Sequence, residues 1–449
     1  MYPFSFSLGD DFVLFDIVKQ GRFYYENDKK SREEILDISL KSFRNIIKQA
    51  YTKSPFYKEY YRSYNIKYKD LDEISPDDLP IIDKKTVRDN FFEIPTEVID
   101  RDKYKIALEE GDMLPSFDNI YIVHTSGSTG TPCPFLYSKQ ALISLESNFA
   151  RLSLTGENKL SLKDFPIKSL YIAPVGSGYA CTALALFGMK QYHCKNILID
   201  ARVPLEDWKD KIKGYNPLYL SGYPSCINLI AKLQQNGEIN IKPKKIITGG
   251  EPLSTEYIKY FKDTFKADVV DYYGCTESIF IGAGGSSYNG IYLFDDINYI
   301  ETDEKNTLII TPFYNKLFPL IRYKTNDIAE NLKKEGCGNL PYTHIDRILG
   351  RKEDLMWFIN ENGKEDFLHP LFLDDLEVVG LLKYQFVKAS DNSFTLNCIL
   401  KDQNIEKEIE KQLHVFLSCK NMNNIKFKIN PVNDLYRDPK SGKVKLIIN

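Results

Sequence analysis

From Arg32 to Tyr51 the apolar residues Leu36, Leu40, Phe43 and Ile47 recur at three- and four-residue steps, which predicts a helix with one buried face. Leu142, Leu145, Phe149 and Leu152 repeat that spacing. In between and beyond, the period switches repeatedly. Ile120-Tyr-Ile-Val123, Leu170-Tyr-Ile-Ala173, Leu218-Tyr-Leu220, Lys245-Ile-Ile247 and Val269-Val270 are short β-branched or aromatic runs that predict strands. Helical stretches separate them. Pro224 opens one that Asn236-Gly237 closes, and Ser254 caps another that buries Ile258, Phe261 and Phe265. Such alternation predicts an α/β sheet with ligands beyond the carboxyl ends of its strands.

The tail changes character after Arg351. Phe394-Thr-Leu-Asn-Cys-Ile-Leu400 reads as a strand, Ile405, Ile409, Leu413 and Phe416 share one helical face, and Ile425-Lys-Phe-Lys-Ile429 alternates as a half-buried strand. This β-α-β unit of roughly a hundred residues has the size of a small domain. The chain is therefore expected to divide near Gly350, into residues 1–349 and 350–449. Its 449 residues also exceed what one hydrophobic core usually serves.

Composition narrows the class. Hydrophobic residues make up 43% and charged residues 27%, as in ordinary globular proteins. The net charge of −3, without a long basic block, argues against a nucleic-acid partner. The segment Met1 to Asp11 carries acidic residues where a signal peptide would carry Lys or Arg, and no apolar run reaches membrane-spanning length. A cytoplasmic protein without a membrane partner is expected. The eight cysteines (133, 181, 194, 226, 275, 337, 398 and 419) are scattered without a C-x-x-C pair, so neither disulfides nor a closed zinc site is expected.

The strand at Ile120 runs into His124-Thr-Ser-Gly-Ser-Thr-Gly-Thr-Pro132. Gly127 and Gly130 allow positive φ and close approach of an anion, while Thr125, Ser126, Ser128 and Thr129 offer hydroxyl donors. A polyphosphate suits such a loop; a plain flexible Ser/Gly turn is the competing reading. It lacks the Lys of a Walker A loop and the G-x-S-x-G of a nucleophile elbow. Gly176-Ser-Gly-Tyr-Ala-Cys181 has the outline of a dinucleotide fingerprint, but Cys181 replaces its third glycine.

Further along come Gly249-Gly-Glu-Pro252, Asp271-Tyr-Tyr-Gly-Cys-Thr-Glu277, Arg322-Tyr-Lys-Thr-Asn-Asp327, Arg347-Ile-Leu-Gly-Arg-Lys-Glu-Asp354 and Ser441-Gly-Lys443. In order and spacing, from about residue 35 to the C-terminus, these segments resemble the adenylate-forming superfamily of acyl-CoA synthetases, adenylation domains and luciferases. With Ser54-Pro-Phe-Tyr-Lys-Glu-Tyr-Tyr61 and the short C-terminal region, the chain looks most like the phenylacetate-CoA ligase branch. The resemblance implies a large α/β N-terminal AMP-binding domain of several subdomains and a small mobile α+β C-terminal domain. It further implies ATP- and Mg²⁺-dependent activation of a carboxylic acid, aryl or otherwise apolar, to acyl-AMP with release of pyrophosphate. Transfer to CoA or a carrier-protein thiol would follow. An amine acceptor, making an amide ligase, and a non-catalytic nucleotide-binding scaffold stay open.

Residue roles carry over from the same resemblance. Thr125, Ser126, Gly127, Ser128, Thr129 and Gly130 would hold pyrophosphate oxygens. Gly249, Gly250 and Glu251 would line the adenine edge, with Asp271, Tyr272, Tyr273 and Gly274 completing the nucleotide site and Tyr273 on the adenine face. Thr276 would reach the phosphate, and Glu277 would bind Mg²⁺ as a hard oxygen ligand. Asp327, an acceptor-only group, would take both ribose hydroxyls, and Arg351 would also reach the ribose. Lys443 would stabilise charge during adenylation, as a compact ammonium on a flexible stem. Glu353 sits at the hinge position. Tyr137, Tyr171, Pro174, Gly178 and Tyr179 are candidates for the acyl pocket. Plainer roles compete: a surface carboxylate for Glu277, core packing for Tyr273, a salt bridge for Arg351, and a frayed tail for Lys440, Lys443 and Lys445. The chain departs from the family at Cys133-Pro134, and at Asn362-Gly363 and His369-Pro370, which replace a glycine-rich stretch near the thiol tunnel. Cys337 and His344 are too few for the Cys/His metal cluster of some relatives.

Overall fold

Hydroxyl and carboxylate caps fix many of the helix starts, because each accepts from backbone N–H groups the first turn leaves open. A computed structural model describes residues 8–124, 133–175, 180–251, 253–304, 306–336, 338–348, 356–368, 373, 376, 378–401, 405–436 and 446–448. Helix α1 (Leu8–Asn27) leads into α2 (Arg32–Lys53), where Ser31 and Glu34 form a reciprocal capping box. Ser54 then caps α3 (Pro55–Ser63), which starts on its proline. Two short helices, α4 (Lys84–Asp89) and α5 (Arg101–Glu109), are capped by Asp83 and Asp100.

The buried stripe of α2 differs from the predicted one. Leu36 is 46% exposed, and the buried residues are Ile35, Ser39, Phe43, Ile46, Ile47 and Ala50. That stripe runs the length of the helix, whereas Leu36 and Leu40 could cover only its first turns.

A small antiparallel sheet follows, made of β1 (Ser116–Phe117), β2 (Ile120–His124) and β3 (Pro134–Ser138). Ser138 caps α6 (Lys139–Ser153), which is buried on nearly every side. Its predicted apolar face meets the sheet, and α1 covers much of the rest. Gly21 of α1 comes so close that a Cβ there would sit 2.6 Å from the Ala150 Cβ.

The central sheet is built from β4 (Lys168–Ala173), α7 (Ala180–Gln191), β5 (Lys195–Asp200), α8 (Leu205–Ile212), β6 (Tyr219–Gly222), α9 (Pro224–Gln235), β7 (Lys245–Thr248), α10 (Thr255–Phe265) and β8 (Asp268–Tyr273). These five strands are parallel, in the order β5-β4-β6-β7-β8. Crossovers leave β4 toward β5 on one side and return to β6 on the other, so the topological switch lies between β4 and β6. Ligands of open α/β sheets bind at such a switch, beyond the strand carboxyl ends. Three antiparallel strands extend the sheet past β8: β9 (Gly282–Gly285), β10 (Ile291–Leu293) and, from later in the chain, β14 (Thr343–Ile345).

A second sheet joins β11 (Asn298–Thr302), β12 (Thr307–Pro312), β13 (Tyr323–Glu330) and β15 (Arg347–Ile348). Past it, β16 (Met356–Ile359) and β17 (Glu365–Leu368) form a hairpin. A four-stranded sheet, β20-β19-β18-β21, then holds β18 (Leu381–Ser390), β19 (Ser393–Leu400), β20 (Lys426–Pro431) and β21 (Ile447–Ile448), with α11 (Glu406–Ser418) between β19 and β20. The β19-α11-β20 order matches the predicted β-α-β unit.

Met356, Phe358 and Leu368 join a separate buried cluster with Leu396, Ile409 and Leu413. The hairpin's opposite face, Trp357 and Phe367, packs on the cluster around Trp208 of α8. Beside it Lys420, 1% exposed, reaches Asp366 at 2.8 Å and the carbonyls of Ala201 and Val203. The expected domain junction lies outside the described residues. No described helix is long and apolar enough to cross a membrane, and no disulfide joins the described cysteines.

Candidate active site

Strand β8 ends in Asp271-Tyr272-Tyr273, and the two-residue period sends these tyrosines to opposite faces. Tyr272 faces a cavity between the sheet and helices α6 and α7. Tyr273 points the other way, and its hydroxyl donates to Asp327 Oδ2 at 2.7 Å. Burial, and then the Asp327 charge, raises the Tyr273 phenol well above its ordinary value, so it stays a donor. Gly274 follows because the chain doubles back there: a Cβ would lie 2.0 Å from the Ile279 carbonyl oxygen. The Cys275 N–H donates to the Ser278 carbonyl at 2.9 Å, closing a tight turn that presents Thr276 and Glu277.

A second bridge lies beside the first. Tyr323 and Asp327 share one face of β13, four residues apart. The Tyr323 hydroxyl donates to Glu277 Oε1 at 2.8 Å. Each carboxylate is thus held by a tyrosine from the other segment. Thr276 is held too, its carbonyl accepting from the Tyr137 hydroxyl at 2.8 Å.

The neighbouring strand end brings Gly249, Gly250 and Glu251. Gly250 has φ +82°, and a Cβ there would press the Tyr223 ring at 2.6 Å. The Glu251 carboxylate accepts from the Ser225 N–H and hydroxyl, both at 2.9 Å, capping the start of α9. Asp271 accepts from the Thr248 hydroxyl at 2.7 Å, and burial pushes its carboxyl up to about 7. Burial and the Glu277 charge raise the Cys275 thiol, which keeps it a neutral packing residue.

The cavity has a volume of about 110 Å³. Tyr171, Gly249 and Tyr272 line it, while Tyr137 and Pro174 do not. Tyr137 is buried, and the Pro174 carbonyl accepts from the Thr182 hydroxyl at 2.8 Å. Thr125, Ser126, Gly127, Ser128, Thr129, Gly130, Gly178, Tyr179, Arg351, Glu353 and Lys443 lie outside the described residues. Tyr323 and Thr248 were not singled out in the sequence. The signal for Tyr323 was its placement four residues before Asp327, on the same face of a strand.

Arg322, from the same motif, is an anchor under this site. It has φ +51° and sits buried between Glu301, whose oxygens lie 2.8 and 3.1 Å from Nη2 and Nε, and the Asp77 and Leu79 carbonyls. Among the described residues no group of three or more His, Cys, Asp or Glu side chains could hold a metal. A single half-buried carboxylate such as Glu277, with one oxygen engaged by Tyr323, still fits Mg²⁺. That ion is usually bound by one or two carboxylates plus substrate phosphates.

The family described as AMP-binding enzyme matches residues 56–303, more than half of the chain and most of this site. The chain belongs to the AMP-binding enzyme family. It is 24% identical over 451 residues to Protein CapK of Staphylococcus aureus, covering 95% of this chain and 92% of that protein. It is 27% identical over 201 residues to fumarate--(S)-2,3-diaminopropanoate ligase of Enterobacter agglomerans, covering 40% of this chain and 48% of that one. Among solved structures, 2-hydroxyisobutyryl-CoA ligase in complex with 2-HIB-AMP and CoA matches at TM-score 0.57 with 20% identity, over 94% of this chain and 91% of that one. The fold is that of the adenylate-forming superfamily.

Proposed function

We propose that this protein activates a carboxylic acid as its acyl-AMP, using ATP and Mg²⁺, and passes the acyl group to a thiol such as CoA. The observation that carries the reading is the pair of crossed bridges, Tyr273–Asp327 and Tyr323–Glu277, beside a cavity that reaches the sheet's carboxyl ends at Gly222, Gly249 and Tyr272. Attack of one anion on another needs positioning and charge neutralisation more than covalent chemistry from the protein. In this reading Asp327 binds the ribose diol, and Glu277 would hold Mg²⁺, which supplies charge neutralisation at the phosphates. The acid enters the cavity with its carboxylate toward Gly249 and Tyr272. The sequence adds the Ser/Thr/Gly loop at Thr125 for the phosphates, Arg351 for the ribose and Lys443 for the transferring phosphate. Glu353 would be the pivot between adenylation and transfer.

The thiol acceptor rests on likeness to the phenylacetate-CoA ligase branch. An amine acceptor is favoured instead by the curated relative named as a ligase of fumarate and diaminopropanoate. The test is a panel of aryl, fatty and amino acids in pyrophosphate exchange, followed by an acceptor step on the acid that works. Acyl-AMP consumed by CoA or a carrier-protein thiol supports the thioester reading. Consumption by amines alone makes this an amide ligase.

A further inference from the structure

The cavity runs along the sheet rather than merely opening onto it. At its nucleotide end lie Gly222, Gly249 and Tyr272. At the other end, Ser169 of β4 and Tyr219 of β6 pair in register, two and three residues earlier on their strands than Tyr171 and Gly222. Three residues of strand span roughly 10 Å. Ser169, Tyr171, Tyr219 and Ser221 all belong to the alternating set that faces the helices.

The far end is not an apolar plug. Glu146 of α6, whose carbonyl accepts from the Tyr192 hydroxyl at 2.7 Å, lines the cavity and is only 3% exposed. No hydrogen bond or ion pair to its carboxylate is found among the described residues. Burial raises its carboxyl well above the ordinary range. The described lining residues include no Lys, Arg or His. Ser169 Oγ is likewise buried without a partner among the described residues. Ser153 and Tyr219 line the same cavity. Opposite Glu146 stands Gly188 of α7, where a Cβ would lie 2.1 Å from Glu146 Oε2, so an alanine there would push the carboxylate aside.

A buried carboxyl without a partner costs stability, so its retention calls for a reason, and a ligand that completes it is one. An ammonium brings three donors and a positive charge, which match one carboxylate with flanking hydroxyls. We infer that the acid activated by this protein carries an ammonium group at its far end, received by Glu146 and the hydroxyl of Ser169. The substrate class is an amino acid whose amine lies several bonds from its carboxylate, long enough to bridge Tyr272 and Glu146. This rests on the adenylation reading of the site.

The test uses the full chain and three acids of matched length: ω-aminooctanoate, ω-hydroxyoctanoate and nonanoate, which replaces the ammonium by a methyl. Calorimetry reads binding without turnover, and pyrophosphate exchange reads adenylation. The amino acid is expected to bind roughly ten- to a hundredfold more tightly than nonanoate, the range for a hydrogen bond to a charged group. Glu146→Gln and Gly188→Ala, both checked for folding by thermal melting, should each shrink that ratio to about threefold or less. Equal or tighter binding of nonanoate, a ratio unchanged by both variants, or no binding of either acid overturns the inference. Binding with the expected ratio but no exchange keeps the inference and counts against adenylation. Exchange with nonanoate alone does the reverse.

Discussion

Tyr323→Phe removes one oxygen and nothing else from the site. The lost contact is the 2.8 Å hydrogen bond to Glu277 Oε1. A hydrogen bond to a charged group contributes about 1.5–3 kcal/mol, and Glu277 is only half-buried, so the lower part of that range applies. About 1.4 kcal/mol is tenfold in an equilibrium constant. If Glu277 holds Mg²⁺, the half-saturating Mg²⁺ concentration in pyrophosphate exchange should rise by roughly 10- to 30-fold. Residues that orient a metal ligand commonly change metal affinity by about 10–100-fold, which brackets the same figure. Tyr273→Phe removes the equivalent bond to Asp327, and should raise the KM for ATP by a similar factor instead. Both constants are read from exchange rates on purified protein, titrating Mg²⁺ and ATP separately. Mg²⁺ dependence within about twofold of wild type in Tyr323→Phe would refute the assignment of Glu277. So would equal shifts in both constants for both variants.

Other expectations concern the frame, the far side of the cavity and the C-terminal tail. Arg151 is fully buried between Asp28, Asp296 and Tyr342, with its guanidinium 4.0 Å from the Phe294 ring centroid. Arg151→Met should cost about 3–5 kcal/mol in denaturant unfolding by stranding two buried carboxylates, and adding Asp296→Asn should recover part of it. Glu146 keeps its proton in the folded state above the pH at which the unfolded chain releases it. Its stabilising contribution is therefore full below the ordinary carboxyl range and lost as pH rises through its raised value. The melting temperature of Glu146→Gln relative to wild type should accordingly climb from about pH 5 to pH 8, and a flat difference would show Glu146 to be ionised in the fold. Lys443→Ala should abolish acyl-AMP formation while leaving consumption of supplied acyl-AMP, read by AMP release; equal loss of both steps would remove Lys443 from the adenylation role.

Strands β4, β6, β7 and β8 and helices α9 and α10 were legible because burial on both faces leaves continuous apolar runs, bounded by caps such as Ser254 and breaks such as Asn236-Gly237; β5, α7 and α8 were not read from the sequence. The antiparallel extension β9-β10-β14 was not, since Gly282-Ala-Gly-Gly285 carries no β-branched residue and pairs instead by close backbone approach. Helix α1 escaped notice because its apolar residues form no single stripe, and with it went the reason α6 is buried on its polar side. That is also why Arg151 passed unremarked: on a helix read as amphipathic it belongs to the solvated face, whereas Glu146, four residues after Leu142 and three before Phe149, sits at the edge of the apolar face and reads as a boundary residue. The carboxylates of the site, Glu277 and Asp327, stood out through motif spacing. Tyr273 stood out through its motif too, though as a residue on the adenine face and not as the donor to Asp327; Tyr323 did not, because in a chain with 30 tyrosines only the strand register singles it out.

The central claim is that this AMP-binding family member makes an acyl-AMP, and exchange of labelled pyrophosphate into ATP measures that step alone, whatever the acceptor. With a suitable acid, exchange should require Mg²⁺ and the acid together, and should collapse in Glu277→Ala while ATP binding persists. Normal ATP binding with no exchange across aryl, fatty and amino acids would contradict the claim, and leave a nucleotide-binding scaffold in its place.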